Sequence, residues 1–197
     1  MKPNFSLLPL LAACLVTITS QAENWPGWRG PRGDGSSNST TPPLKWNAET
    51  GEGILWKTEI PGIGHASPII WKDRAFIVTC DLDAEVRQLI ALDANKGTIL
   101  WKQDVIKAKV EKKHALNSFA SGTPATDGEL IYVTFFEAGD SEVIAPNVGS
   151  ERKIFPGKMV VAAYDYQGNQ QWLVKPGEFI SAHGYSICPV LYKDLVS

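Results

Sequence analysis

Ala91-Leu92-Asp93-Ala94-Asn95-Lys96-Gly97-Thr98-Ile99-Leu100-Trp101 reads as a β-strand, a tight turn and a second strand with a tryptophan at a set place. An Asp that opens a turn bonds its own backbone two residues on, and a closing Gly supplies a positive φ without steric cost. The order recurs in Ala163-Tyr164-Asp165-Tyr166-Gln167-Gly168, where Gly168 precedes Trp172 by four residues, as Gly97 precedes Trp101. A third tryptophan segment, Ile54-Leu55-Trp56-Lys57, lies 45 residues before Trp101, and Trp172 lies 71 after it. Each is read as a strand ending in tryptophan.

Outward from these hairpins, a second signal repeats. Ser67-Pro68-Ile69-Ile70-Trp71-Lys72-Asp73, Thr123-Pro124-Ala125-Thr126-Asp127-Gly128 and Cys188-Pro189-Val190-Leu191-Tyr192-Lys193-Asp194 each run into a β-branched strand. Proline at the start of a strand forfeits no ladder bond. One unit is therefore a Pro-led strand, a β-branched strand, an Ala-x-Asp strand and a Trp strand. Four short antiparallel strands in about 45 residues make a propeller blade. A β-sandwich also alternates strands and turns, but it does not repeat a Gly-x-x-x-Trp signature. The expected fold is all-β, a propeller of four-stranded antiparallel blades. It is incomplete: an N-terminal Trp strand over Gly53 to Ile60, two blades, and the opening of a third that stops at Ser197. Inserts are expected from Ile106 to Ala120 and from Glu137 to Lys158. Open blade edges expose unpaired backbone, so a truncated product of poor solubility is one expectation.

Residues 1–22 read as a signal peptide, 23–52 as an N-terminal extended segment and 53–197 as the partial propeller. Lys2 gives the positive start, Leu7 to Ile18 the apolar stretch and Ser20-Gln21-Ala22 the small residues of a cleavage site. The apolar stretch is short for a bilayer, so no span is expected after its removal. The expected location is periplasmic or secreted. Leu11-Ala12-Ala13-Cys14 resembles a lipobox, which leaves lipid anchoring at Cys14 as the alternative. Cys80 and Cys188 read as two buried thiols, with a bridge between them left open. Lys+Arg total 19 and Asp+Glu 21, a net charge of -2 with no basic run, which argues against nucleic-acid binding. The densest basic group, Lys107, Lys109, Lys112 and Lys113 around Glu111, reads as a solvated loop.

The pattern Ala91, Asp93, Gly97, Trp101 resembles the tryptophan-docking repeat of the PQQ-type, quinoprotein-like β-propellers. Asn24-Trp25-Pro26-Gly27-Trp28-Arg29-Gly30-Pro31 with Gly33-Asp34-Gly35, and Gly64-His65-Ala66-Ser67-Pro68, resemble segments of their exported members. The resemblance spans Asn24 to Ser197. It implies that Trp56, Trp101 and Trp172 pack each blade on the next, with Asp93, Gly97, Asp165 and Gly168 shaping the turns. The family includes dehydrogenases with PQQ and calcium in the central channel, and non-catalytic scaffolds such as an outer-membrane assembly lipoprotein. No vicinal Cys-Cys pair is present, and no position matches the dehydrogenases' calcium-ligand or catalytic-base motifs.

Polar residues cluster before each Pro-led strand: His65 and Ser67; Asn117, Ser118, Ser121 and Thr123; His183, Tyr185 and Ser186. In a propeller the first strand lines the channel, so these are the candidate channel-lining residues. One reading is a ligand or metal site around His65 and His183. The other is side chains that bond buried backbone, as buried polar groups must. Asp81-Leu82-Asp83-Ala84-Glu85 lacks the Gly and Glu of a calcium loop, since Val86 and Leu92 stand there. Gly30 to Gly35 neither follows a strand nor opens a helix, and Ser67, Ser121 and Ser186 lack a nucleophile-elbow context. No catalytic residue and no metal ligand set is assigned. The expected function is an exported, non-catalytic binding or scaffold propeller of the cell envelope. It carries no cofactor of its own and takes an unidentified protein or small-molecule ligand. The alternative is part of a PQQ-dependent quinoprotein dehydrogenase, with PQQ and calcium held only in a full-length homologue.

Overall fold

The computed structural model describes residues 23–197 apart from Thr41 and Asn147. The signal-peptide reading of residues 1–22 and the Cys14 alternative lie outside the described residues. Strands β1 (Ile69–Trp71), β2 (Arg74–Asp81), β3 (Val86–Asp93) and β4 (Ile99–Lys107) form one antiparallel sheet in chain order. Strands β5 (Ala125–Thr126) and β6 (Ile131–Ala138) begin a second. A small hairpin of β7 (Val143–Ile144) and β8 (Lys153–Ile154) then interrupts it. The second sheet resumes with β9 (Gly157–Tyr164) and β10 (Gln170–Val174) in the order β5-β6-β9-β10, and β11 (Glu178–Phe179) pairs beside β9. A further hairpin joins β12 (Leu191–Tyr192) to β13 (Leu195–Val196). No helix is assigned among the described residues. The described sheets do not close a ring.

Strand alternation explains how the sheets stack. Side chains of successive strand residues point to opposite faces. Phe76, Val78 and Cys80 of β2 therefore share a face with Leu89 and Ala91 of β3 and Val105 of β4. That face packs against Ile131, Val133 and Phe135 of β6 and Val160, Ala162 and Tyr164 of β9. The opposite face of the first sheet, with Ala75, Ile90 and Leu92, is covered by Ile60. The opposite face of the second, with Phe136 and Ala138, is covered by Phe155, Phe179 and Tyr185. Both sheets are thus buried on two sides, which is why Leu89-Ile90-Ala91-Leu92 reads as an unbroken apolar run.

The indoles sit at the outer ends of these interfaces. Trp56 Nε1 donates to Ala94 O at 2.8 Å, and Thr58 Oγ1 donates to Gly97 O at 2.6 Å. Gly97 has φ 70°, and a Cβ there would come within 2.5 Å of the Trp56 ring. Asp93 Oδ1 shapes this turn by accepting from Asn95 N at 2.9 Å and Lys96 N at 3.0 Å. One sheet further on, Trp101 Nε1 donates to Tyr166 O at 3.1 Å. A Cβ on Gly168, φ 89°, would lie 3.0 Å from the Trp101 ring. Asp165 Oδ1 holds that turn through Gln167 N and Asn169 N. Trp172 lies 6.0 Å from Tyr132, centroid to centroid.

The segment around Trp56 differs from the reading as a strand. Ile54 to Ile60 has no ladder partner, because no third strand lies beside it among the described residues. Its indole and Thr58 hydroxyl attach it to the first sheet instead. The thiols also divide: Cys80 is buried and Cys188 half-buried, and both are free.

Removing the Trp101 ring leaves a void between two sheets, so Trp101→Ala is expected to lower unfolding stability by about 3 kcal/mol. Gly97→Ala places a methyl at positive φ against the Trp56 ring and is expected to cost more than about 1 kcal/mol. Urea unfolding measures both. Losses below about 0.5 kcal/mol for the pair would show that these ring contacts are incidental.

Candidate functional site

Between β4 and β5 the chain crosses from the first sheet to the second through an insert that gathers most of the candidate polar residues. Its root is fixed from below. Arg87 of β3 points toward the second sheet with no exposed side-chain surface. Its guanidinium bonds Glu111 Oε2 at 2.6 Å, reaches Lys109 O at 3.4 Å and donates to Ala108 O. Glu85 Oε1 accepts from Val110 N at 3.2 Å on the neighbouring turn. Burial pushes the Glu111 carboxyl above its ordinary value, and the adjacent Arg87 charge opposes that rise.

The reading of this lysine-rich segment as a solvated loop is therefore corrected at Glu111. The lysines Lys107, Lys109 and Lys112 are exposed, but Glu111 is buried and tied to Arg87. Charge density along the chain reveals the lysines. It does not reveal a partner 24 residues away.

Higher in the insert the polar side chains hold one another and the neighbouring backbone. Asn117 Oδ1 accepts from Ser118 N at 2.8 Å and Ser121 Oγ at 2.7 Å, while Asn117 Nδ2 donates to His183 O at 2.7 Å. Thr123 Oγ1 accepts from Ser67 N at 3.0 Å, and Thr123 N donates to Cys188 Sγ at 3.2 Å. Ala120 O accepts from His65 N and Ala66 N at 3.0 and 3.1 Å. Thr134 Oγ1 donates to Ile187 O at 2.6 Å. These bonds lash the three Pro-led segments, near residues 65–68, 120–124 and 183–189, into one layer.

The candidate residues divide accordingly. Ser67 meets Thr123, and Asn117 meets Ser121 and the His183 backbone. His65 lies with Thr79, Lys113, Asn117 and Ser118 around an open cleft of about 530 Å³. The rings of His65 and His183 are exposed. His183 stands 5.9 Å from His114, centroid to centroid, and His114 was not selected from the sequence. Leu116 N donates to His114 Nδ1 at 3.1 Å, so that nitrogen is the acceptor of the ring. No group of three or more His, Cys, Asp or Glu disposed to hold a metal occurs among the described residues. Asp81 Oδ1 accepts from Ala84 N at 3.0 Å, the bond of an ordinary acidic turn.

The N-terminal segment approaches the same region from the inner edge. Trp25 exchanges two backbone bonds with Ile70 of β1, at 2.7 and 2.9 Å, and Pro26 O accepts from Thr126 N of β5 at 2.9 Å. It thereby joins the edge strands β1 and β5 of the two sheets.

Stacked four-stranded antiparallel sheets, with an Asp-to-Gly turn under the Trp56 indole and again under the Trp101 indole, define a β-propeller repeat protein. A family profile described as "Outer membrane protein assembly factor BamB" matches residues 43–172. The chain belongs to this family of PQQ-like repeat proteins. No individual curated protein matches it. No helix among the described residues is long and apolar enough to cross a membrane.

The Glu111 shift has a definite sign. A carboxyl raised in the folded state stabilises fully below its unfolded pKa, and that contribution is lost as pH rises through the raised value. Glu111→Gln keeps a neutral side chain of the same shape. The stability of the variant relative to the wild type is expected to rise as pH climbs above the ordinary carboxylate range, where the wild type must ionise a buried carboxyl. Urea midpoints that stay parallel across that climb would contradict a raised Glu111 pKa.

Proposed function

We propose that this chain is an exported, non-catalytic β-propeller of the cell envelope, acting as a scaffold or binding protein for an unidentified protein or small ligand. The observation that carries the reading is the commitment of the candidate site residues. Asn117, Ser121, Thr123 and the backbone of Ser67 and His183 hold neighbouring segments in register. Groups so engaged serve to position the layer rather than to react. In this reading Trp56, Trp101 and Trp172 are docking residues that join blade to blade, and Asp93, Gly97, Asp165 and Gly168 shape their seats.

Export rests on the apolar N-terminal segment and its small-residue cleavage site, and places the protein in the periplasm or outside the cell. Cys14 offers lipid anchoring as the alternative. The matched family's description as an outer-membrane assembly factor agrees with an envelope role.

The donors present do not fit a quinone–calcium site. Ca²⁺ takes six to eight oxygen ligands. Among the candidates, the Asn117 amide oxygen already accepts two bonds, and the Thr123 hydroxyl already accepts from Ser67 N. The second reading, part of a PQQ-dependent dehydrogenase, draws on the cleft beside His65, whose volume of about 530 Å³ is adequate for a small ligand.

Calorimetric titration with PQQ plus Ca²⁺, and separately with Zn²⁺, separates the two. The expected outcome is no saturable heat. A stoichiometric complex with a dissociation constant of about 1 μM, abolished by His65→Ala or His183→Ala, would overturn the non-catalytic reading.

A further inference from the structure

The hairpin β7–β8 and the insert after β4 are separated in sequence, yet they face each other across a cleft of about 490 Å³. Its wall carries Lys112, Lys113 and His114 from the insert, and Arg152 and Lys153 from the hairpin. Ala115, Ile154 and Ala182 add apolar lining. We propose that this cleft is a binding site for a phosphate-bearing anion.

Charge is the first argument. Four permanent cations line one cleft in a chain whose net charge is -2. The carboxylate that answers them is Glu142, which pairs with Lys112 and lies 3.4 Å from Lys153. The Lys112 hydrogen bond holds its carboxyl below the ordinary range. Among the described residues, Lys113 and Arg152 have no carboxylate partner. Glu111 also feels the Lys113 charge but is already paired with Arg87, so Glu142 against four cations leaves a positive excess that a dianion would satisfy.

Pre-organisation is the second. Exposed cations on a loose loop gain little from an ion, because ordering long side chains cancels the attraction. Here the supports are built in. The Arg87–Glu111 pair roots the insert one residue before Lys112. The hairpin is set by the pairing of Ile144 with Lys153 and by Ala145 N donating to Arg152 O at 2.7 Å. Lys109 and Lys112 lie over the Phe155 ring, at 3.9 and 5.3 Å from its centroid, tying insert to hairpin. The third wall is closed by His114 N donating to His183 O at 3.2 Å and by Gly184. A Cβ on Gly184 would fall 2.8 Å from the Lys113 Cβ.

The chemistry of the ligand follows from the donors. A guanidinium offers a planar fork that matches phosphate oxygens, and ammonium groups add point charges around it. The apolar lining suits an organic group carried by the phosphate. A soluble phosphate ester and an anionic lipid headgroup share this chemistry.

The test uses the full chain with two probes. Calorimetry with inorganic pyrophosphate reads soluble phosphate binding, and co-sedimentation with phosphatidylglycerol vesicles, against phosphatidylcholine vesicles, reads the headgroup. Saturable binding to pyrophosphate alone assigns a soluble ligand. Binding to the phosphatidylglycerol vesicles assigns a headgroup. Either result is expected to weaken about tenfold in the double variant Lys113→Ala/Arg152→Ala and with rising salt. Lys45→Ala, remote from the cleft, is the control and should bind unchanged. Glu142→Gln is expected to bind more tightly, because it releases Lys112 and Lys153. A merely structural role for Glu142 predicts the reverse. Circular dichroism and urea midpoints confirm that each variant is folded. Absence of binding to both probes, or binding that Lys113→Ala/Arg152→Ala leaves intact, overturns the proposal.

Discussion

An indole lying on a glycine of the next turn, with its N–H on a carbonyl of that turn, joins the first sheet to what precedes and follows it. The contact sets three demands at once. The turn residue must reach positive φ, it must lack a Cβ, and the turn must present a carbonyl outward. Gly97 and Gly168 meet the first two. Asp93 and Asp165 meet the third by folding the intervening peptides back onto their own carboxylates. A large rigid ring buries much apolar area with few rotatable bonds, so the joint is strong for its entropy. Phe76 extends it inward, standing 5.2 Å from Tyr166 edge-on and 6.0 Å from Trp101.

This constraint explains what was legible in the sequence. The distance from glycine to tryptophan is fixed by one strand of one hairpin, so it survives inserts of any length elsewhere in the unit. Strand order within the unit and the placement of both inserts follow from it. Ile54 to Ile60 was misread for a related reason. The tryptophan marks the contact with the next sheet, but a strand also needs a ladder partner, and the motif carries no information about that partner. At the candidate site the sequence offered the polar residues before each Pro-led strand as channel-lining candidates. It could not say whether their hydrogen bonds were free for a ligand, because Asn117 and His183, or Ser67 and Thr123, meet only after the sheets stack.

Arg87 and Glu111 were illegible for a deeper reason. Each looks ordinary in its local stretch, one near the start of a strand and one among lysines. Their burial depends on the second sheet covering the first. An ion pair removed from water is held only by good geometry and further bonds, and it contributes specificity more than net stability. Here the geometry includes carbonyls of Ala108 and Lys109 as well as the carboxylate. The pair fixes where the insert leaves the sheet, so a buried electrostatic contact determines the placement of an exposed one.

The division of labour in the molecule then has a physical basis. The hairpins at Gly97 and Gly168 are constrained, since each glycine must meet an indole of the adjoining segment. Inserts are released from that requirement, because they leave the sheet at strand ends and return to it without altering the joints. Cations on the β4–β5 crossing and on the β7–β8 hairpin can therefore gather around one cleft while the stacked faces stay apolar. On such a scaffold the inserts are free to carry function, because the fold that supports them does not dictate it.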